Sequence, residues 1–164
     1  MSKQWQLAQL NVARMLAPID SPRLSEFVEN LDRLNAIADE APGFVWRLQS
    51  DAGDATGFRP FGEDILVNMS LWEDVESLHH YVYKTSHVEI MRKRRQWFEL
   101  MRDNYTVLWW VPAGTLPDLL DAKERLARLR ESGPSPEAFT FNDPFPHPGS
   151  SHVPEEVAPD CPAQ

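Results

Sequence analysis

Two ionisable side chains, His87 and Arg94, fall where an amphipathic helix should be apolar. On a wheel of about 100° per residue, Trp97, Ile90, Met101, Phe98 and Met91 lie within roughly 80° of His87, which puts both polar groups mid-stripe. A guanidinium or imidazole buried there must be hydrogen-bonded or paired, because burying either one bare is costly. In that position an imidazole can act as a base and a guanidinium can hold a substrate oxyanion. On one continuous helix their spacing corresponds to about 10 Å of rise, so a single ligand can reach both. The competing reading is purely structural, with the histidine bonded to a backbone carbonyl and the arginine snorkelling to solvent. His79, His80 and His87 invite a metal reading, but His80 and His87 share a face only on an unbroken helix, and no metal is expected. Trp72, Trp97, Trp109 and Trp110 can form a flat aromatic pocket for a planar substrate, or can simply fill core.

The elements that would position these residues follow from periodicity. Ile65, Val67, Met69 and Leu71 alternate with Leu66, Asn68, Ser70 and Trp72, the period of a strand. Asp74 then caps a helix to about Tyr83, interrupted at Thr85-Ser86. Ser86 and Glu89 have capping-box spacing, so a second helix starts there. Upstream, Trp5 to Val12 reads as a first strand, and Ser21-Pro22 as a helix start. Leu24, Phe27, Val28, Leu31, Leu34 and Ala38 make one apolar stripe that ends at Pro42-Gly43. Phe44 to Gln49 is a second strand, and glycines 53, 57 and 62 mark a long polar hairpin into Ile65. Tyr105 to Val111 is the fourth strand, stopped by Pro112-Ala113-Gly114. Thr115 is expected to cap a last helix through Leu116, Leu119, Leu120, Leu126 and Leu129 that ends at Gly133-Pro134. Phe139, Phe141 and Phe145 are too apolar to be free in water and should lie across the domain.

A βαββαβ order is α+β, an antiparallel sheet with both helices on one face, the ferredoxin-like arrangement. The other sheet face is then bare. Tyr105, Val107, Trp109 and Val111 alternate with Thr106, Leu108 and Trp110, so neither face of that strand suits water. A homodimer packed sheet against sheet is therefore expected, with the C-terminal helix and phenylalanines able to do part of the covering in cis.

With 164 residues the chain can bury one sizeable core, expected over residues 1–145. The Pro-, Ser- and acid-rich residues 146–164 should form a disordered tail. A formal charge of -9 argues against a nucleic-acid partner, which demands a basic face. The run Arg92-Lys93-Arg94-Arg95 is flanked by Glu89, Glu99 and Asp103, and reads as a solvated helix face with intrahelical pairs. No apolar run approaches the ~18 residues of a membrane span and the polar N-terminus lacks a signal-peptide core, so a soluble, cytoplasmic protein is expected. Cys161 is the only cysteine, which leaves no disulfide framework and no thiolate metal site. P-loop, G-x-G-x-x-G, G-x-S-x-G and H-E-x-x-H motifs are missing, and hydrolase, kinase and nicotinamide chemistries lose their usual support.

Four stretches carry a resemblance: Met69-Ser-Leu-Trp-Glu-Asp-Val-Glu-Ser-Leu78, the Tyr83-Lys-Thr-Ser-His87 turn, Arg94-Arg-Gln-Trp-Phe98 and Leu108-Trp-Trp-Val-Pro-Ala-Gly114. With Gly133-Pro-Ser-Pro-Glu-Ala-Phe-Thr-Phe141 they resemble a bacterial family of unknown function in the dimeric α+β barrel superfamily, over about residues 5 to 145. That superfamily includes antibiotic-biosynthesis monooxygenases and haem-degrading oxygenases, whose members commonly carry a His at such a helix-turn. The haem-degrading set is a strand-one Asn, a Trp and a helical His. Asn11 and His87 match two of these, but the helix spacing differs and Tyr81 stands where the Trp is nearest in register, so no haem or other cofactor is expected. The resemblance implies a cofactor-independent monooxygenase or isomerase acting on a small aromatic or polyketide-like molecule, with His87 as base and Arg94 on an oxyanion. Asn11, Tyr83, Trp97 and Trp109 would bind the substrate, lining a cavity between the second long helix and the sheet. The alternative is a non-catalytic dimer that holds a small ligand or serves a structural role.

Overall fold

In the computed structural model, which describes residues 4–50, 53–84 and 87–149, the alternating apolar stretches become four strands. They are β1 (Trp5–Arg14), β2 (Phe44–Arg47), β3 (Ile65–Trp72) and β4 (Thr106–Pro112). The helices are α1 (Ser25–Glu40), α2 (Val75–Lys84), α3 (His87–Arg92) and α4 (Leu119–Ser132). All neighbours in the sheet are antiparallel, in the order β2-β3-β1-β4. Together with the βαββαβ chain order this is the α+β, ferredoxin-like fold. Among the described residues no helix is long and apolar enough to cross a membrane.

Because side chains alternate along a strand, the sheet has two differently built faces. Leu7, Leu66, Trp72 and Leu108 face the helical layer, where Leu24, Leu34, Leu78, Trp97 and Phe98 are buried against or beside them. Ala8, Leu10, Val12, Val67, Met69, Val107 and Trp109 face the other way and are buried under Ala122, Leu126 and Leu129 of α4. Phe58 and Phe61 of the long β2–β3 connection pack on the same core. The bare second face expected from the sequence therefore does not exist. An apolar helix stripe from the chain itself occupies the position assigned to a second subunit, because Ala122, Leu126 and Leu129 recur at spacings of three and four and bury together.

Several boundaries differ from expectation for identifiable reasons. α4 begins after Asp118, whose carboxylate accepts from Asp121 N, and not at Thr115. Pro117 disfavours helical backbone at Leu116 and so delays the start. Ser21 makes no side-chain cap; a short 3-10 turn, Pro22–Leu24, precedes α1 instead. The helix after the break is much shorter than expected, ending at Arg92 before a 3-10 turn over Arg94–Gln96. Its continuation is drawn away by the end of β1: Leu16 N donates to Trp97 O at 2.8 Å and Glu99 N to Arg14 O at 2.9 Å. Asp74 caps α2 as expected, accepting from Ser77 N at 2.8 Å. The Thr85-Ser86 break and the Ser86 capping box, and residues 150–164 of the tail with Cys161, lie outside the described residues.

Candidate ligand cavity

Between the helical face of the sheet and α1, α2, α3 and the Arg94–Phe98 segment lies a cavity of about 510 Å³. Its floor is a polar island on an otherwise apolar sheet. Strand register sets Gln9 opposite Ser70, and Asn11 opposite both Asn68 and Thr106, with all five side chains lining the cavity. Gln9 Nε2 donates to Asn68 Oδ1 at 2.6 Å and to Ser70 Oγ at 2.8 Å. Trp72 Nε1 donates to the same Ser70 oxygen at 2.8 Å, and Asn11 Nδ2 to Thr106 Oγ1 at 2.8 Å. These bonds offset the cost of seating amides and hydroxyls in the middle of a sheet.

Aromatic rings form much of the wall. Phe27 meets Trp97 at 5.6 Å and Phe98 edge-on at 5.0 Å, while Tyr81 stacks on Trp72 at 5.2 Å. Tyr81 Oη donates to Leu34 O at 3.2 Å. Burial pushes its phenol up to about 12, with Arg47 opposing and Asp39 adding to the rise. Three guanidinium groups line the cavity, those of Arg47, Arg92 and Arg94, against the single carboxylate of Asp54. Arg47 is committed: Nε lies 2.8 Å from Asp39 Oδ1 and Nη1 donates to Gly53 O at 2.7 Å, tying β2 to α1 and to the following loop. Asp54 already accepts from Thr56 N and Oγ1. Arg94 is different. It is half-buried with its Cζ 4.6 Å over the Tyr105 ring, and no carboxylate among the described residues pairs with it. Such a cation is held over an aromatic face at the cavity without being neutralised by a carboxylate.

The structure thus brings Asn11, Tyr83, Arg94 and Trp97 to one cavity. Trp109 is not among them: it faces α4 on the opposite side of the sheet, with Arg125 Cζ 5.5 Å from its ring. Its parity along β4 sends it there, one position out of step with Thr106. For the same reason the four tryptophans make no common pocket, and Trp110 donates outward to Phe145 O at 2.8 Å. The ring of His87 lies outside the described residues, and with α3 ending at Arg92 the two candidates do not share one continuous helix. His79 packs on Tyr83 at 4.5 Å and on Phe141 at 5.8 Å. Among the described residues the basic run makes no intrahelical ion pair; Lys93 pairs instead with Glu26 of α1. Sequence reasoning passed over Gln9, Asn68, Ser70, Thr106 and Tyr105. The available signal was the polar residues at alternate positions of β1 and β3, with Thr106 at the start of β4.

Family comparison matches residues 6–155 to the Domain of unknown function (DUF3291). The chain belongs to the DUF3291 family. No curated protein matches it. Among solved structures, the cofactor-independent oxygenase SnoaB from Streptomyces nogalater is 17% identical with a TM-score of 0.45, covering 69% of this chain and 98% of that one. A protein of unknown function from Nitrosomonas europaea is 12% identical with a TM-score of 0.44, covering 70% of this chain and 97% of its own. A dabb family protein with a ferredoxin-like fold from Mesorhizobium loti is 14% identical with a TM-score of 0.41, at 70% and 100% coverage.

Proposed function

We propose that this DUF3291 chain binds a small aromatic or polyketide-like molecule in the cavity and converts it without a cofactor, as a monooxygenase or isomerase. The observation that carries the reading is Arg94, a half-buried guanidinium without a carboxylate partner among the described residues, stacked on Tyr105 at the edge of a cavity with aromatic walls and a hydrogen-bonding floor. An arginine held this way stabilises an enolate or phenolate oxygen, the charge that develops when such a molecule loses a proton. His87 is proposed as the base that takes that proton. Its place at the start of α3, near the cavity-lining Val88, fits this role. A barrel-type homodimer would set two sheets face to face, where α4 now sits, and any homodimer is proposed to use another surface. The lone cysteine and net charge of -9 suit the cytoplasmic setting proposed for it.

The test is a thermal-shift screen with planar hydroxy- and keto-aromatics, 1-hydroxy-2-naphthoate first. A ligand at about 100 times its Kd adds about 2.7 kcal/mol to stability, or roughly 5 to 10 °C for a chain of this size. Arg94→Lys should weaken binding about tenfold or more, because a planar fork becomes a point charge. His87→Ala should retain binding and abolish turnover of a confirmed substrate. Hits that bind elsewhere, or that ignore Arg94→Lys, would overturn the assignment. Binding without turnover by wild-type protein would leave a ligand carrier.

A further inference from the structure

Counting hydrogens on the cavity floor leads beyond a general aromatic site. Trp72 Nε1 can only donate, so Ser70 Oγ must accept from it, and it also accepts from Gln9 Nε2. With both acceptor positions filled, the only hydrogen-bonding capacity left to Ser70 is its own O–H, which meets no acceptor among the described residues. Gln9 Nε2 spends both hydrogens, one on Ser70 and one on Asn68. What remains of Gln9 is the carbonyl Oε1, an acceptor that receives nothing from the described residues. Ser70 and Gln9 are each only 5% exposed, and they stand directly opposite one another on neighbouring strands, about 5 Å apart at Cβ. As the amides of Gln9 and Asn68 are oriented in the floor, a donor and an acceptor therefore sit side by side, with Ser70 held as an acceptor by Trp72 N–H and Gln9 oriented through Asn68 Oδ1.

We propose that Ser70 and Gln9 set the specificity of this cavity, selecting a planar ligand whose edge carries a carbonyl oxygen beside an N–H or O–H. The carbonyl accepts from Ser70 O–H and the neighbouring N–H or O–H donates to Gln9 Oε1. Trp72 and Asn68 are positioning residues: they consume the hydrogen bonds that would otherwise let Ser70 and Gln9 turn. A ligand lacking either group strands a buried polar atom, and that penalty is the source of selection. The inference rests on the reading of the cavity as a ligand site, and names the chemical edge that the site accepts.

The probes are 2-quinolinone, with N–H beside C=O, and N-methyl-2-quinolinone, which has lost the donor. Titration calorimetry on the wild-type chain should show 2-quinolinone binding about tenfold or more tighter than its methylated partner. In Gln9→Met, similar in length but without the acceptor, that ratio should fall to near one, whereas rejection by size alone would survive the change. Ser70→Ala should weaken both members of a pair alike, since both keep the carbonyl. Where Gln9→Met fails to fold, coumarin, the size of 2-quinolinone but with a ring oxygen in place of the N–H, separates the two in the wild-type chain: an N–H requirement leaves it about tenfold weaker, whereas rejection by size does not. Wild-type ratios within about twofold, beside Arg94-dependent binding of 1-hydroxy-2-naphthoate, would overturn the donor–acceptor floor and leave the cavity assignment standing. No binding of any of these compounds would overturn both.

Discussion

Replacing Leu126 by alanine isolates the contact that closes the second sheet face. Leu126 is 0% exposed and lies in one cluster with Val107, Trp109, Val12 and Met69. Leu→Ala in a core costs about 2 to 5 kcal/mol, the upper values belonging to sites that cannot collapse. Here one wall is a hydrogen-bonded sheet whose backbone cannot follow the shortened side chain, so about 3 to 5 kcal/mol is expected. Set against a net stability of about 5 to 15 kcal/mol, that is a large fraction of the whole. With a urea m-value of about 2 kcal/mol/M, the midpoint should fall by about 1.5 to 2.5 M, read by tryptophan fluorescence because Trp109 lies in the same cluster. The wild-type midpoint should also be the same at about 1 µM and about 50 µM protein, since a cover supplied in cis is not subject to mass action. A cost below about 1 kcal/mol, or a midpoint that climbs with concentration, would refute the view that α4 is the native cover of this face.

Three further outcomes follow from particular contacts. Gly43→Ala should lose at least about 1 to 3 kcal/mol, measured by denaturation, because φ is +83° and an added Cβ would meet Ser77 Oγ at 2.1 Å. Asp118→Ala removes the acceptor for Asp121 N and should cost about 0.5 to 2 kcal/mol, whereas Thr115→Ala should be near neutral. Tyr81, raised to about 12 by burial, binds its proton more tightly in the folded chain than in the unfolded one. Its contribution is therefore complete below the ordinary tyrosine value near 10 and is lost as pH rises from there through about 12, by up to about 1.4 kcal/mol per pH unit. Tyrosinate absorbance should show one group titrating late, and Tyr81→Phe should remove both that group and its share of the alkaline loss of stability.

The strands, the first helix and the ferredoxin-like order were legible in the sequence because period-two and three-to-four patterns report burial directly. Cover for the second face was harder to read. Leu116 and Leu120 look like part of the α4 stripe, yet they are exposed, while Ala122, a small residue, is fully buried. Only the actual start at Asp118 sets which residues turn inward. The candidate site was half legible for a related reason. Arg94 and Trp97 were found by placing them on a helix that ends at Arg92, and they reach the cavity through a 3-10 turn that pairs with β1. Gln9, Asn11, Asn68 and Ser70 are visible as polar residues in apolar strands, but their meeting depends on cross-strand register, which no local pattern encodes.

The short antiparallel bridge between Leu108 and Phe139 has a consequence for how the protein behaves in a crowded solution. Leu108 N donates to Phe139 O at 2.8 Å and Phe139 N to Leu108 O at 2.9 Å, at the outer margin of β4. An uncapped margin there would present unpaired amides flanked by Trp110, a template on which another chain could stack and begin to aggregate. The segment after α4 blocks it at its midpoint and buries Phe139 completely in doing so. Proteolytic trimming back to Gly133 would uncover those amides together with the apolar surface that Phe139 covers, and should favour association along this edge.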